Sequence, residues 1–260
     1  MSGGPRVLKA ALLGSVVMPI HQKVQAMFFR EVVSNPQLHI FMLKHYHYLD
    51  GYAATRLKKV VKLLTDADLQ TKVERHVVDE DKHATFFKQR AIELGGTPTL
   101  TEDELSLGFL NRFNSHGLGI SDERLDEDKF LDHREIITFF VLLKAEEEFG
   151  LKFFLGHLRG SDEDPRTKQM FEEVVEDEKR HVSYITEVLE DLGRKGYQTD
   201  VEEEGRRYRR TFQRYRFSGR ELLRAIPKVL EMCSYRPHGR TIRFLWTCAS
   251  PFLRLAASRG

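Results

Sequence analysis

The chain of 260 residues contains few of the residues that interrupt or cross-link a fold. It holds 8 prolines, 18 glycines and two cysteines, Cys233 and Cys248, which do not form a Cys-x-x-Cys pair. This disfavours both a disulfide framework and a cysteine-ligated zinc or iron site. The hydrophobic fraction of 41 % is sufficient for a sizeable core, and residues that favour helices, such as Leu, Ala, Glu, Lys and Arg, are abundant.

The sequence also lacks any run of 18 apolar residues, so no membrane-spanning helix is predicted. Residues 10–20, AALLGSVVMPI, follow Arg6 and Lys9 in the manner of a signal peptide, but without a clear small-x-small cleavage site. We therefore expect an N-terminal helix in a cytoplasmic protein, with secretion as the less favoured alternative.

The net charge of +2 conceals a strong asymmetry along the chain. Residues 206–260 contain 13 Arg and Lys228 against Glu221 and Glu231, a balance of +12, so that the first 205 residues carry −10. The chain is thus an acidic body with a basic tail, and the two parts need separate explanations.

Four segments place apolar residues at helical spacing, three or four apart. Short polar turns, TDAD and RGSDEDP, join the first segment to the second and the third to the fourth, whereas the polar residues 96–132 connect the second to the third. The predicted helices are residues 37–64, Leu69–Leu94, Arg134–Leu158 and Thr167–Leu192.

This order of loops predicts the fold class. Helices joined by short turns pack antiparallel, so we expect an all-α four-helix bundle with one long crossover. The division that follows is an N-terminal helical extension at 1–36, the bundle at 37–200 and a basic helical C-terminal extension at 201–260.

The second and fourth helices share the pattern Glu-x-x-His. Glu80 and His83 lie on the apolar stripe of one helix, and Glu178 and His181 lie on that of the other. Because an unpaired carboxylate is unfavourable in a core, each needs a partner, and the adjacent histidine makes a metal ion the natural one. The competing interpretation is a bundle with buried His–Glu hydrogen bonds and no metal.

The other two helices supply carboxylates in phase with their apolar stripes. The first offers Asp50 and the third offers the three glutamates at 146–148, of which Glu147 has the best phase. Asp50 precedes Glu80 by 30 residues, and Glu147 precedes Glu178 by 31. The two halves of the bundle therefore repeat the same arrangement.

On these motifs, residues 37–192 resemble the ferritin-like di-iron carboxylate superfamily, which includes rubrerythrins, quinone hydroxylases and tRNA hydroxylases. The resemblance implies two iron ions, or manganese, bridged by Glu80 and Glu178. The remaining ligands would be Asp50 and His83 at one end and Glu147 and His181 at the other. Asp50 stands where the family usually has Glu and reaches less far, so His47, one turn earlier, is an alternative ligand.

The function that the resemblance implies is that of a di-iron oxidoreductase, an oxidase or monooxygenase that uses dioxygen. Since the sequence has no cysteine quartet, the rubredoxin-type iron site of classical rubrerythrins is missing, and electrons would come from an external donor. An apolar, membrane-derived substrate is the leading interpretation. The alternatives are an RNA-modifying hydroxylase of the tRNA type and a non-catalytic metal-binding or scaffold protein.

The basic tail suggests how such a substrate would be reached. Residues 206–217, RRYRRTFQRYRF, interleave Arg with aromatic residues, and apolar segments edged by Arg follow. Three interpretations remain: helices lying on an anionic membrane surface as a peripheral protein, a grip on nucleic acid, or packing against the bundle. Nucleic acid is the least favoured of the three.

Overall fold

A computed structural model describes residues 22–23, 25–106 and 119–216, the last six of these without their side chains. All regular secondary structure in these ranges is helical. The helices are α1 (25–34), α2 (Pro36–Leu63), α3 (Ala67–Glu93), α4 (Glu102–Ser106), α5 (Asp122–Leu125), α6 (His133–Gly160), α7 (Pro165–Leu192) and α8 (Gln198–Arg216).

Capping residues fix where the four long helices begin. The side chains of Asn35, Asp66, Asp132 and Asp164 each accept a hydrogen bond from a backbone N–H of the following first turn. These caps start α3, α6 and α7 one or two residues before the predicted positions. At α7 the prediction treated Pro165 as part of the turn, whereas it opens the helix, where a missing N–H has no effect.

The long helices form the predicted all-α four-helix bundle with one crossover. α2 packs against α3, α6 packs against α7, and α3 meets α7 across the middle. The crossover is bonded to α2 near both of its ends. Lys44 of α2 forms a buried ion pair with Glu104 of α4 at 2.6 Å, and the backbone N–H of Leu131 donates to the backbone oxygen of Leu63 at 2.9 Å.

Two apolar clusters fill the bundle, one towards each end. One contains Leu57, Val77, Phe140 and Ile185, and the other contains Leu43, Phe87, Phe154 and Phe171. On every long helix the predicted metal-ligating residues fall between these two clusters. The polar side chains therefore occupy a middle layer that is closed by apolar layers above and below.

The N-terminal extension contacts the bundle through glycines. Phe29 of α1 lies directly over Gly160 of α6, and a Cβ added at Gly160 would come within 2.6 Å of the Phe29 backbone. Gly156, one turn earlier, is equally close to the side chains of Gln25 and Phe29. The absence of side chains at these two positions is what allows α1 to approach.

The beginning of the basic extension packs on the bundle as well. Gly196, at φ 101°, turns the chain between α7 and α8, and Tyr208 of α8 is buried in the same cluster as Phe140. The neighbouring Arg206, Arg207, Arg209 and Arg210 are exposed. The predicted tail beyond residue 216 lies outside the described residues, and within them no helix has the length and apolarity needed to span a membrane.

Substituting Gly160→Ala should destabilise the protein. The new methyl group would collide with backbone atoms of Phe29 and Arg30, which cannot rotate away. We expect the free energy of unfolding in urea to fall by about 1–3 kcal/mol, as for other overpacked sites. As a control, Gly205→Ala on α8 meets only the end of the Arg209 side chain and should raise stability by roughly 0.5–1 kcal/mol. Equal effects of the two variants would contradict the close approach of α1.

Candidate metal centre

The middle layer brings all six predicted side chains together. One carboxylate comes from α2 and one from α6, while α3 and α7 each supply a carboxylate and a histidine three residues apart on the inner face. None is more than 8 % exposed: Asp50, Glu80, His83, Glu147, Glu178 and His181.

One end of the cluster is built around His83. Its Nδ1 lies 3.5 Å from Glu178 Oε1 and 4.0 Å from both Glu80 Oε1 and Asp50 Oδ2. Ligand atoms about 2 Å from a metal ion stand roughly 3–4 Å from one another. The spacing at this end therefore fits an ion between these side chains.

The other end repeats the arrangement around His181. Its Nδ1 lies 3.3 Å from Glu147 Oε2, 3.5 Å from Glu80 Oε1 and 3.9 Å from Glu178 Oε1. Glu80 and Glu178 thus face both histidines, as bridging carboxylates would, whereas Asp50 and Glu147 each belong to one end.

Two buried atoms at the first end have no hydrogen-bond partner among the described residues. They are Asp50 Oδ2 and His83 Nδ1, both of which point into the cluster. Buried polar atoms are almost always satisfied in native proteins. A cation between them would satisfy both, and oxygen with imidazole nitrogen is a donor set that suits iron or manganese.

The charges of the cluster are unevenly distributed. Burial raises the pKa of Asp50 and of Glu178 well above the usual carboxyl range, and the neighbouring carboxylates raise both further. Burial acts in the same direction on Glu147, but the imidazoles of His76 and His181 outweigh it and hold its pKa well below the usual range. Without metal, the cluster therefore retains protons on some of its carboxyl groups, and metal binding would release them.

Two aspartates that the sequence analysis missed orient the histidines crosswise. Asp177 of α7 accepts from His83 Nε2–H at 3.0 Å, and Asp79 of α3 lies 3.3 Å from His181 Nε2. Because a carboxylate can only accept, each Nε2 carries a proton, which leaves each Nδ1 as the nitrogen whose lone pair a metal ion would use. The sequence did contain a signal, since an Asp stands immediately before both Glu80 and Glu178.

The outer aspartates are themselves held by cations. Lys82 and Arg180 both bind Asp177, and Arg180 Nη2 also lies 3.1 Å from Asp79. Burial alone would raise the pKa of Asp177. The hydrogen bonds from His83, Lys82 and Arg180 outweigh this effect and keep the pKa below its usual value. The outer carboxylates therefore stay ionised as acceptors for the histidines.

A third histidine, His76, also escaped prediction. It is buried one turn before Glu80, and its Nε2 lies 3.1 Å from Glu80 Oε1 and 3.4 Å from Glu147 Oε1. Its Nδ1 is 2.8 Å from the hydroxyl of Tyr184. The available signal was its position on the stripe of Val73 and Val77, the residues that were used to locate the helix.

The alternative ligands considered from the sequence lie outside the cluster. His47 directs its Nδ1 to the backbone oxygen of Ala84 at 2.9 Å. Glu148 is about half exposed and faces Lys144. Glu146 belongs to neither group of candidate ligands, although burial raises its pKa to about 7. Of the glutamates at 146–148, the structure places only Glu147 among the candidate ligands.

A four-helix bundle with one long crossover and a buried carboxylate–histidine cluster in its middle layer defines a class of metal-binding helical proteins. Residues 59–195 match the model of the ferritin-like domain, and the chain belongs to this family. The match confirms the predicted fold family, but it begins after Asp50, so the role of that residue rests on geometry alone. No curated protein and no solved structure was found to match the chain.

Substituting Asp177→Asn should weaken metal binding without removing a ligand. The amide cannot accept from His83 while keeping both cationic partners, so the histidine loses its fixed tautomer. Loss of such an outer partner typically lowers metal affinity by about 10–100-fold. The measurement is the dissociation constant for Fe²⁺ under anaerobic conditions. The exposed neighbour substitution Glu176→Gln should leave it unchanged, and a silent Asp177→Asn would show that His83 does not bind metal.

Proposed function

We propose that the protein is a di-iron oxidoreductase, an oxidase or monooxygenase that uses dioxygen on an apolar substrate. The observation that carries the proposal is the buried middle layer, in which four carboxylates and the Nδ1 atoms of two histidines converge between apolar clusters. Two ferrous ions bound there would supply the electrons and Lewis acidity for dioxygen reduction.

The chain's own contribution would be ligation, orientation and dryness. Glu80 and Glu178 would bridge the ions, with Asp50 and His83 at one end and Glu147 and His181 at the other. Asp79 and Asp177 hold the histidine tautomers that ligation requires. Phe87 and Phe140, both fully buried, belong to the apolar clusters that keep bulk water from the layer.

The electrons would come from an external donor. The sequence offers no cysteine cluster for a second iron site, and its two cysteines lie in the basic extension. An apolar substrate fits a site closed by aliphatic and aromatic side chains, whereas a charged one would have to be desolvated to enter.

The basic extension supports a location at a membrane surface. Four arginines between 206 and 210 are exposed while Tyr208 anchors the helix to the bundle. Two of them, Arg206 and Arg207, pair with Glu202 and Glu204 one turn earlier, so the excess of cations lies towards the C-terminal side of α8. The apolar residues that follow, such as Trp246 and Leu255, would enter an interface whose lipid phosphates the arginines bind. A polynucleotide phosphate backbone is the competing partner.

Removing one bridging carboxylate tests the metal centre. Wild-type protein loaded anaerobically should retain about two Fe²⁺ per chain and consume dioxygen when air is admitted. Glu178→Ala should lose most of the iron, because the carboxylate faces both histidines. The control Glu173→Ala changes an exposed glutamate of the same helix. Full iron in Glu178→Ala would refute the site, and full iron without dioxygen consumption in the wild type would favour a scaffold protein.

The membrane hypothesis predicts salt-sensitive binding to anionic vesicles. Full-length protein should float with vesicles that contain phosphatidylserine and be released as salt is raised. A chain ending at Arg216 retains Tyr208 in the core but lacks the apolar residues that follow, so it should keep its unfolding temperature and bind the vesicles much more weakly. Binding to single-stranded RNA but not to vesicles would instead favour the RNA-modifying hydroxylase. A truncated chain that loses its helicity would show that the extension completes the core.

A further inference from the structure

The two halves of the candidate centre are related by a repeat in the sequence. Residues that are 98 positions apart in the sequence play equivalent roles at opposite ends of the site. Asp50 and Glu147, which are 97 positions apart, complete the correspondence. The equivalent pairs are Asp79 with Asp177, Glu80 with Glu178, Lys82 with Arg180, and His83 with His181. Each pair combines residues of one chemical type.

Near the site the correspondence breaks at His76 and at Tyr184, and these two residues are in contact. His76 corresponds to Val174, and Tyr184 corresponds to Phe86. His76 Nδ1 lies 2.8 Å from Tyr184 Oη, whereas Val174 and Phe86 both belong to the apolar layer around Phe87. One end of the centre therefore carries a polar pair where the other end carries an apolar pair.

His76 lies at the end of the centre that contains Glu147 and His181, in a position that suits a metal ligand. Its imidazole is 1 % exposed, and its ring centroid lies 3.7 Å from that of His181. Ligand atoms of His76, Glu80, Glu147 and His181 lie within 4.8 Å of one another. The outward nitrogen of His76 contacts an oxygen and the inward nitrogen faces the carboxylates, which is the arrangement found at His83 and His181.

We propose that His76 is a third histidine ligand, that Tyr184 is its positioning residue, and that the two metal positions are consequently unequal. The inference rests on the proposed metal centre. The position between Glu147, His181 and His76 has an additional nitrogen donor and fills first. The position between Asp50 and His83 has the shorter carboxylate and no third histidine, so it binds the second ion more weakly.

Tyr184 fixes the imidazole for this role. If Nε2 ligates the metal, its lone pair is used and the proton resides on Nδ1, which then donates to Tyr184 Oη. The hydroxyl of Tyr184 can accept this hydrogen bond, whereas Phe86, at the equivalent position of the other half, could not. The tyrosine thus acts on the metal through the histidine without being a ligand.

The test is an anaerobic calorimetric titration with Fe²⁺, combined with Mössbauer spectra of the ⁵⁷Fe-loaded protein. The wild type should bind two ions in steps that differ at least about tenfold in affinity. His76→Gln should weaken the tighter step by about tenfold or more and alter one of two quadrupole doublets. Asp50→Asn should weaken only the looser step, and Tyr184→Phe should weaken the tighter step to a smaller extent.

The matched control is His45→Gln. It changes a buried histidine on a different helix, α2, whose Nδ1 contacts the backbone oxygen of Phe41. It should leave both steps unchanged. Two equal steps in the wild type, or a His76→Gln protein that retains both within about twofold, would overturn the proposal and leave His76 as a hydrogen-bond partner of Glu80. If His76→Gln does not fold, Tyr184→Phe decides, because a tighter step that it leaves unchanged would also overturn the proposal.

Failure of this inference can be distinguished from failure of the proposed function. A wild-type protein that binds no iron would refute both. Normal loading and dioxygen consumption with a silent His76→Gln would refute only the unequal positions.

Discussion

Four carboxylates buried between apolar layers are the constraint on which the rest of this structure depends. Charged groups removed from water are strongly unfavourable unless they are paired, so each must meet a proton, an imidazole or a metal ion. The side chains around the cluster meet this requirement in successive shells: histidines face the carboxylates, aspartates hold the histidines, and Lys82 and Arg180 hold the aspartates. The apolar ends of the bundle then close the layer.

The sequence predicted the parts of the molecule that are set by periodicity along one helix. The four long helices, their connection and the meeting of all six candidate side chains follow from apolar stripes in which Asp50 and Glu147 are in phase. Helix starts were misplaced by a residue or two because Asp66, Asp132 and Asp164 cap more strongly than the stripes indicate. The division of the chain into three parts stays a prediction.

What the sequence could not reveal depends on contacts between helices. Asp79 and Asp177 lie beside the buried stripe, and their importance appears only when each meets the histidine of the opposite helix. His76 was hidden because a lone histidine on an apolar stripe is ordinary until a carboxylate from α6 faces it. Tyr208 was assigned to the tail because the arginines around it dominated the charge pattern, although its ring completes the core.

The crosswise aspartates also couple the two ends of the site. His83 and His181 are each held by the opposite helix, so α3 and α7 cannot slide or turn relative to each other without releasing both imidazoles. α2 contributes Asp50, whose inner oxygen has no such restraint among the described residues. The α3–α7 pair therefore keeps both histidines in one arrangement, and a shift of either helix would disturb both ends of the site at once.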